Sequence, residues 1–414
     1  VKTRTSHGAV SDIGQIWAIS NGETATFKLY AAMFYPYRNT DTFIDIVESN
    51  KDCLDEIKML SDLCAIYESG LNRLEELYGT NCCHAICMVH ARRYLREALE
   101  LAPDLLDIYA LLLPRPGSDL ELVDPQVFAR NLELFNKDPE QLAVPKKLRR
   151  TLTEIEKLGL LWYFDVNQLF AIERYVKTLI ADHCSEEYRN TLLKMRHELS
   201  VKFMTNIGHI VDTLIKYYDC VIIKQGSNGN VRYQSKSDIP ISKALIYWAN
   251  AWSMLCCFLD DPTIEISNNE VERLFRRIAL AKKCSMFFNG SDGAQAFALL
   301  HSITNNCLLN GINIEAYILW LICNIQRRLV QDKAAIMAEL KKFNDAGKAT
   351  TPGKFLVMPH KRKVEQIDAD GQKQKISYDL FDIDNNQTIY DMVDITGLLP
   401  QDYKALLDEH RLAA

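Results

Sequence analysis

Apolar positions along the chain change period twice. In the first hundred residues, short apolar runs alternate with polar turns. Residues 15–20 and 24–33 read as two strands joined at Asn21-Gly22. Residues 41–49 place Phe43, Ile46 and Val47 on one side of a helix. A short apolar strand at 57–60 runs into Ser61-Asp62; a helix at 71–78, a strand at 82–89 and a helix at 91–99 follow. Residues 1–12 are polar and turn-like. From 101 to 240 the stripes become broad and helical, over 124–135, 148–156, 167–182 and 186–218. A hairpin of 221–224 with 231–233 turns around Gly226-Ser227-Asn228-Gly229. Residues 241–259 form an apolar helix whose Tyr247, Trp248 and Trp252 are expected in the core.

A further helix opens at about Asn268. Ser267 with Glu270 three positions later has capping-box spacing, and Val271, Leu274, Phe275 and Ile278 mark its buried face. Two or three helices then run to Phe343. Residues 344–378 read as loop, with 354–358 as a candidate strand, and an acidic tail carries a helix at 400–409.

This order predicts an α/β (mixed α+β) chain: a mixed sheet covered by helices, with a large helical insertion and a helical C-terminal region. Four segments follow: 1–100 and 241–343 as the two parts of one core, 101–240 as the insertion between them, and 344–414 as an appendage.

At 414 residues the chain is long enough for more than one core. A net charge of −6 excludes a uniformly basic nucleic-acid coat, so DNA contacts are confined to local patches. These are Lys146-Lys147-Leu148-Arg149-Arg150, the run after Arg273, Arg327-Arg328 and His360-Lys361-Arg362-Lys363. Twelve scattered cysteines without a signal peptide suit reduced thiols, and the expected compartment is the cytoplasm. The longest apolar run, 244–259, is short for a membrane span.

Candidate chemistry gathers at three places. Glu272 leaves the apolar stripe of its helix in the first turn, and Arg273, Arg276, Arg277, Lys282 and Lys283 follow with no acid among them. One carboxylate beside a basic run suits a divalent metal and a phosphodiester; a solvated helix face is the plainer alternative. Asp62 ends its strand, where catalytic groups of open α/β sheets collect, although turn or N-cap aspartates are common. Cys82, Cys83, His84, Cys87 and His90 are dense enough to suggest zinc. Strand alternation would send Cys82 and Cys83 to opposite faces, so Cys87 reads as core, His90 as site-lining or structural, and zinc is not expected.

The segment DPTIEISNNEVERLFRRIALAKKCSMFFNGSD, residues 261–292, resembles the C-terminal signature of the insertion sequence 66 family of bacterial transposases. There a short strand precedes Asn-Asn-x-x-Glu-Arg and a basic-apolar helix. The matching residues are Asn268, Asn269, Glu272, Arg273, Arg276, Leu280, Lys282, Lys283 and Phe287, and the similarity continues through Asn310-Gly311-Ile312-Asn313. Ser61-Asp62 and Cys87-Met88-Val89-His90-Ala91-Arg92-Arg93 resemble two further family blocks, with Leu63 where Gly is usual. Arg277, Ala281 and Ser285 also depart from the pattern, at Pro, Gly and Trp positions.

The resemblance implies a DDE-type transposase with a ribonuclease H-like core, cleaving and transferring DNA strands at terminal inverted repeats. Asp62 and Glu272 inherit catalytic, metal-holding roles for a pair of Mg²⁺ or Mn²⁺ ions. His90, Arg92, Arg93, Asn268, Asn269, Arg273, Arg276, Lys282 and Lys283 inherit places against DNA, as transposon end or target. Trp252 also matches a family position and is a candidate to approach a flipped base. The active complex is expected to be a homo-oligomer with no membrane association. The first acid of the family lies in an Asp-Glu-Thr-Pro segment that would end just ahead of Val1, and Asp12 is a weak substitute on the far side of the hairpin. An N-terminally truncated core is therefore expected, with a catalytically inactive DNA- or transposase-binding remnant as the alternative.

Overall fold

The computed structural model describes residues 2–3, 12–21, 27–35, 37–48, 55–102, 104–115, 121–182, 185–218, 221–225, 231–235, 240–284, 290–331, 361–367, 373–379 and 396–409. The turn at 22–26, the hairpin tip at 226–230, Ser285 and Phe287, the helix expected beyond 331 and the candidate strand at 354–358 lie outside them.

The fold is mixed α/β, mostly helical, with small sheets. The first elements follow the expected order: β1 Lys2–Thr3, β2 Asp12–Ile13, β3 Gln15–Ser20, β4 Tyr30–Tyr35, α1 Thr40–Glu48, β5 Glu56–Ser61, α2 Ala65–Tyr78, β6 Asn81–Ile86 and α3 Met88–Glu100. Among the described residues the strands hydrogen-bond in pairs, where one mixed sheet was expected. β3 pairs with β4, and β5 runs parallel to β6 in a register from Glu56–Asn81 to Ser61–Ile86. β6 ends three residues before the expected boundary, because Cys87 turns the chain and Met88 opens a helix. Trp17 of β3 is buried with Phe43, Ile44 and Ile46 of α1 and Leu71 and Leu74 of α2. Burying each of the larger of these side chains contributes roughly 1.5–3 kcal/mol. Gly70 permits the close approach of α1 to α2, since a Cβ there would lie 2.3 Å from the Phe43 ring.

The second stretch comprises α4 Leu105–Leu112, α5 Pro125–Lys137, a 3₁₀ turn Lys146–Leu148, α6 Glu154–Asp182, α7 Glu186–Tyr217, the antiparallel hairpin β7 Val221–Gln225 with β8 Val231–Ser235, and α8 Pro240–Asp260. α5 starts at Asp124, whose carboxylate accepts the Gln126 N–H, with Pro125 in the first turn. Where two helices were expected at 148–156 and 167–182, one helix begins at Glu154. Thr153 and Glu156 exchange side-chain and backbone hydrogen bonds there, the geometry of a capping box. Leu160, Trp162, Tyr163, Phe164 and Val166 are all buried, so this part of α6 is covered all round and shows no one-sided stripe. Lys146-Lys147-Leu148-Arg149-Arg150 is a partly spent patch: Arg150 pairs with Asp104 and Glu156, and Arg149 with Glu140.

α9 Asn269–Cys284 buries Leu274 and Ile278, as its stripe predicts. The residues before it form bends rather than a strand, yet Ile264 and Ile266 are buried. Arg196 of α7 holds this segment. Its guanidinium donates to Glu173 Oε2 at 2.6 Å and to the carbonyls of Pro262 and Ile264 at 2.9 and 2.8 Å, and lies over the Phe258 ring. Lys177 adds a bond to Glu265 at 2.9 Å.

By internal contacts the chain divides into two compact units, Val1–Thr26 with Ala31–Ala298, and Phe27–Tyr30 with Leu299–Ala414. The division falls within α10 Gly290–Leu309, which α11 Ile314–Gln331 follows. In the second unit Cys307, Ile312, Tyr317 and Tyr403 are buried together. Asn306 bonds both backbone groups of Tyr30, and Asn310 both of Lys28. The region expected as loop at 344–378 contains strands β9 Lys361–Ile367 and β10 Lys373–Asp379, which pair antiparallel; α12 Pro400–Asp408 matches its expected helix. Among the described residues no helix is long and apolar enough to cross a membrane.

Two stability predictions follow from the buried polar groups. Arg196→Met strands Glu173 in the core and is expected to cost about 3 kcal/mol, the low end for a broken buried pair, because Lys177 remains 3.5 Å from Glu173. Urea denaturation measures it, and a Glu173→Leu partner substitution should recover most of the loss. Asp165 is 2% exposed, and burial pushes its carboxyl up to about 7 against the hydrogen bond from Asn206. A carboxyl raised above its unfolded value of about 3.9 keeps its proton in the native state, so stability falls as pH rises from about 4 to about 7. Asp165→Asn should flatten that fall, on the order of a few kcal/mol, in denaturation curves taken at pH 5 and pH 8.

Candidate active site at the edge of the parallel strand pair

Because β5 and β6 are parallel and in register, their C-terminal ends meet at one edge, and the chain leaves each of them there. Ser61 ends β5, and the next residue, Asp62, is half exposed. Cys87 follows β6, and its N–H donates to the Ser61 carbonyl at 2.9 Å. α3 then begins, placing His90 one turn beyond Cys87. Asp62, Cys87 and His90 therefore converge, with one ligand-capable atom from each within 4.8 Å of the others.

The third contributor comes from far along the chain. The Met88 N–H donates to the Ile266 carbonyl at 2.8 Å, fixing the segment before α9 beside the start of α3. Two residues later, Asn268 Nδ2 donates to Asp62 Oδ1 at 3.1 Å across 206 positions. His90 Nδ1 lies 3.2 Å from the same oxygen, but off-line and without a hydrogen bond among the described residues. The backbone N–H groups of Asn268, Val89 and His90 near Cys87 Sγ favour its thiolate, but burial outweighs them and pushes the thiol up.

Asn268 also opens the motif helix, its carbonyl accepting the Glu272 N–H at 3.2 Å. Residues four apart on a helix share a face about 5–6 Å apart at Cβ, so Glu272 stands one turn above the residue that touches Asp62. Glu272 and Asn269 are partly exposed, and Arg273, Arg276, Lys282 and Lys283 are exposed along α9.

The remaining expected residues are placed differently. The Arg92 guanidinium lies over the Phe170 ring, 5.1 Å from its centroid, and its Nε is buried without a hydrogen-bond partner among the described residues. Arg93 lies 3.8 Å from Glu97 and over Tyr94. Trp252 packs against Gly208 of α7. Asp12 sits in β2 opposite Thr3. Below the edge, Ser61 Oγ donates to the Asp62 carbonyl at 2.9 Å and lies 2.8 Å from His84 Nε2. With that hydroxyl proton committed, His84 donates from Nε2, and burial pulls its pKa down. Trp248 of α8 props α3 from behind by donating to the Ala91 carbonyl at 3.1 Å.

Sequence reasoning placed Cys87 in the core; it is buried, yet its sulfur faces the site. The signal was Cys-x-x-His at a helix start, where three intervening bonds of the chain make one turn. Asn268, expected against DNA, also holds Asp62, a bond the sequence did not show; nothing in the sequence singled out Arg196.

Residues 148–296 match the model of the Transposase IS66 family, a span that includes Asn268 to Lys283 and excludes Asp62, Cys87 and His90. An uncharacterized protein of Sinorhizobium fredii, y4jD, is 38% identical over 96 residues, 23% of this chain and 18% of that protein. The matched part thus spans about a fifth of the length of that relative. No solved structure matches the chain. Over 148–296, then, the chain is similar to transposases of that family, and the motif helix lies within the similar part.

Proposed function

We propose that this chain is a DNA transposase of the DDE type, cleaving and joining strands from a ribonuclease H-like core in which Asp62 and Glu272 are two of the metal-holding acids. The observation that carries the reading is the Asn268–Asp62 hydrogen bond. It brings the opening turn of the motif helix, which carries Glu272, to the C-terminal end of β5 beside Asp62, as a shared site for the two carboxylates would require. The family match over 148–296 supports DNA as the substrate.

Two carboxylates on neighbouring elements are the hard oxygen donors that Mg²⁺ or Mn²⁺ prefers. When bound there, such ions supply activation of an attacking hydroxyl and stabilisation of the leaving oxygen. The chain's own residues orient and bind. Asn268 fixes one oxygen of Asp62 and aims the other, and the His90 imidazole lies within reach of the same carboxylate. Arg276, Lys282 and Lys283 lie on one exposed, acid-free stretch of α9 and meet the phosphodiester backbone. The net charge of −6 makes that contact local.

A second reading, DNA or transposase binding without chemistry, is favoured by one observation. The ligand-capable groups gathered around Asp62 are a thiol and an imidazole rather than further carboxylates.

A supercoiled plasmid bearing the element's inverted-repeat ends separates the two. With Mg²⁺ or Mn²⁺ the full chain is expected to nick at the ends. Asp62→Asn and Glu272→Gln should each reduce nicking by at least about 100-fold, more than the loss of an outer metal partner costs, while duplex affinity persists. Binding without nicking in either metal would sink the enzymatic reading. In the same assay buffer, neutralising Arg276, Lys282 or Lys283 should lower the slope of log affinity against log salt by about 1 each. A slope that does not move would take α9 off the DNA.

A further inference from the structure

We propose that Asp62, Cys87 and His90 form a binding site for a borderline-soft divalent cation of the zinc type. The site stands on geometry and does not require the catalytic reading, although the two share Asp62.

The donors are a carboxylate oxygen, a sulfur and an imidazole nitrogen, mutually within 4.8 Å. A zinc-type ion binds sulfur at about 2.3 Å and nitrogen or oxygen at about 2.0–2.2 Å, so its ligand atoms stand some 3–4 Å apart. Small side-chain rotations close the observed triangle to that size. A mixed oxygen, nitrogen and sulfur set selects zinc or cobalt over magnesium, which keeps to oxygen.

Two orphaned atoms point the same way. His90 Nδ1 and Asn268 Oδ1 are both buried and lack a hydrogen-bond partner among the described residues. Buried polar atoms in that condition are uncommon and mark strain, function or an ion. Here they belong to the two side chains that touch Asp62 Oδ1. A cation seated between His90 Nδ1 and the carboxylate satisfies both groups where an off-line contact does not. The Asn268 amide can present its oxygen instead of its nitrogen by turning over, which supplies a fourth donor, with solvent as the alternative.

Burial works against a thiolate at Cys87, and a bound cation together with nearby backbone N–H groups would offset it. The backbone N–H groups of Val89 and His90 at the start of α3, and of Asn268 ahead of α9, lie near Cys87 Sγ. Outer hydrogen bonds of this kind hold metal-bound sulfur in place. The ligands sit on the end of β5, the first turn of α3 and the residue ahead of α9, so an ion here would pin the motif helix to the strand edge. It would also occupy the carboxylate assigned above to Mg²⁺, making zinc a competitor for Asp62.

The test uses the full chain and Co²⁺ as a spectroscopic probe, with Zn²⁺ as competitor. The expected result is a sulfur-to-cobalt charge-transfer band that saturates at one equivalent and is displaced by Zn²⁺. His90→Gln should weaken Co²⁺ binding by more than about 100-fold, and Cys87→Ser should abolish the band. Cys83→Ser, which removes the thiol beside Cys257, and Glu272→Gln should leave it unchanged. Cys87 is buried; if its variant does not fold, His90→Gln decides alone. Absence of the band, its survival in His90→Gln, or its loss in Cys83→Ser would each overturn the proposal. Loss of nicking in Glu272→Gln with the cobalt band intact would separate this site from the catalytic reading.

Discussion

The candidate site depends on a buried guanidinium that does not belong to it. Arg196, 4% exposed, spends its donors on Glu173 and on the carbonyls of Pro262 and Ile264. Charge-assisted bonds of this sort are short and directional, and in a low-dielectric interior they fix what they touch. They fix the irregular backbone of residues 261–268, between α8 and α9, which no strand pairing holds. Ile266 can then accept from Met88, and Asn268 can then reach Asp62. The helices of the insertion thus do more than cover the core: α6 and α7 supply Glu173, Lys177 and Arg196, and with them the position of the motif helix.

Much of the fold was legible because it obeyed a period. α5, α7, α8 and the buried face of α9 follow from one-sided apolar stripes, and the order of β3 to α3 follows from alternation. The failures have physical causes. Strand 82–89 ran too long because Cys87, Met88 and Val89 are apolar, and period alone cannot separate a strand end from a buried helix start. α6 was split because a helix buried on every side has no stripe to read. β9 and β10 are polar and lysine-rich, and beyond the single pair Ile376 and Tyr378 they carry no apolar alternation.

The site was legible in its residue types but not in its bonds. Asp62 was marked by its place after a strand and Glu272 by leaving the stripe of its helix. That Asn268 joins the two regions depends on a contact spanning half the chain, which no local pattern encodes. Charge was informative only in part. Within 146–150 the cations Arg149 and Arg150 are consumed by Glu140, Asp104 and Glu156, whereas Arg276, Lys282 and Lys283 on α9 remain exposed. A basic run reads as a phosphate surface only after its acidic partners have been located.

On the two proposals above, the edge of the parallel pair would serve two kinds of ligand with different tastes in metals. Asp62 and Glu272 present oxygen alone, which suits an ion that keeps part of its water for a phosphate. Asp62, Cys87 and His90 present oxygen, sulfur and nitrogen, which suits an ion held tightly and dehydrated. One carboxylate serves both sets, and its Oδ1 is already engaged by Asn268 and approached by His90. Affinity for a given ligand set rises from manganese to a maximum at copper, with zinc below it, so ligand type, geometry and availability together decide which ion Asp62 meets. A site built this way is sensitive to trace zinc in a manner that an all-carboxylate site is not. The cause is local: Cys87 and His90 enter it together, because a helix that starts with Cys-x-x-His at the end of β6 presents both side chains to Asp62, the residue that follows β5.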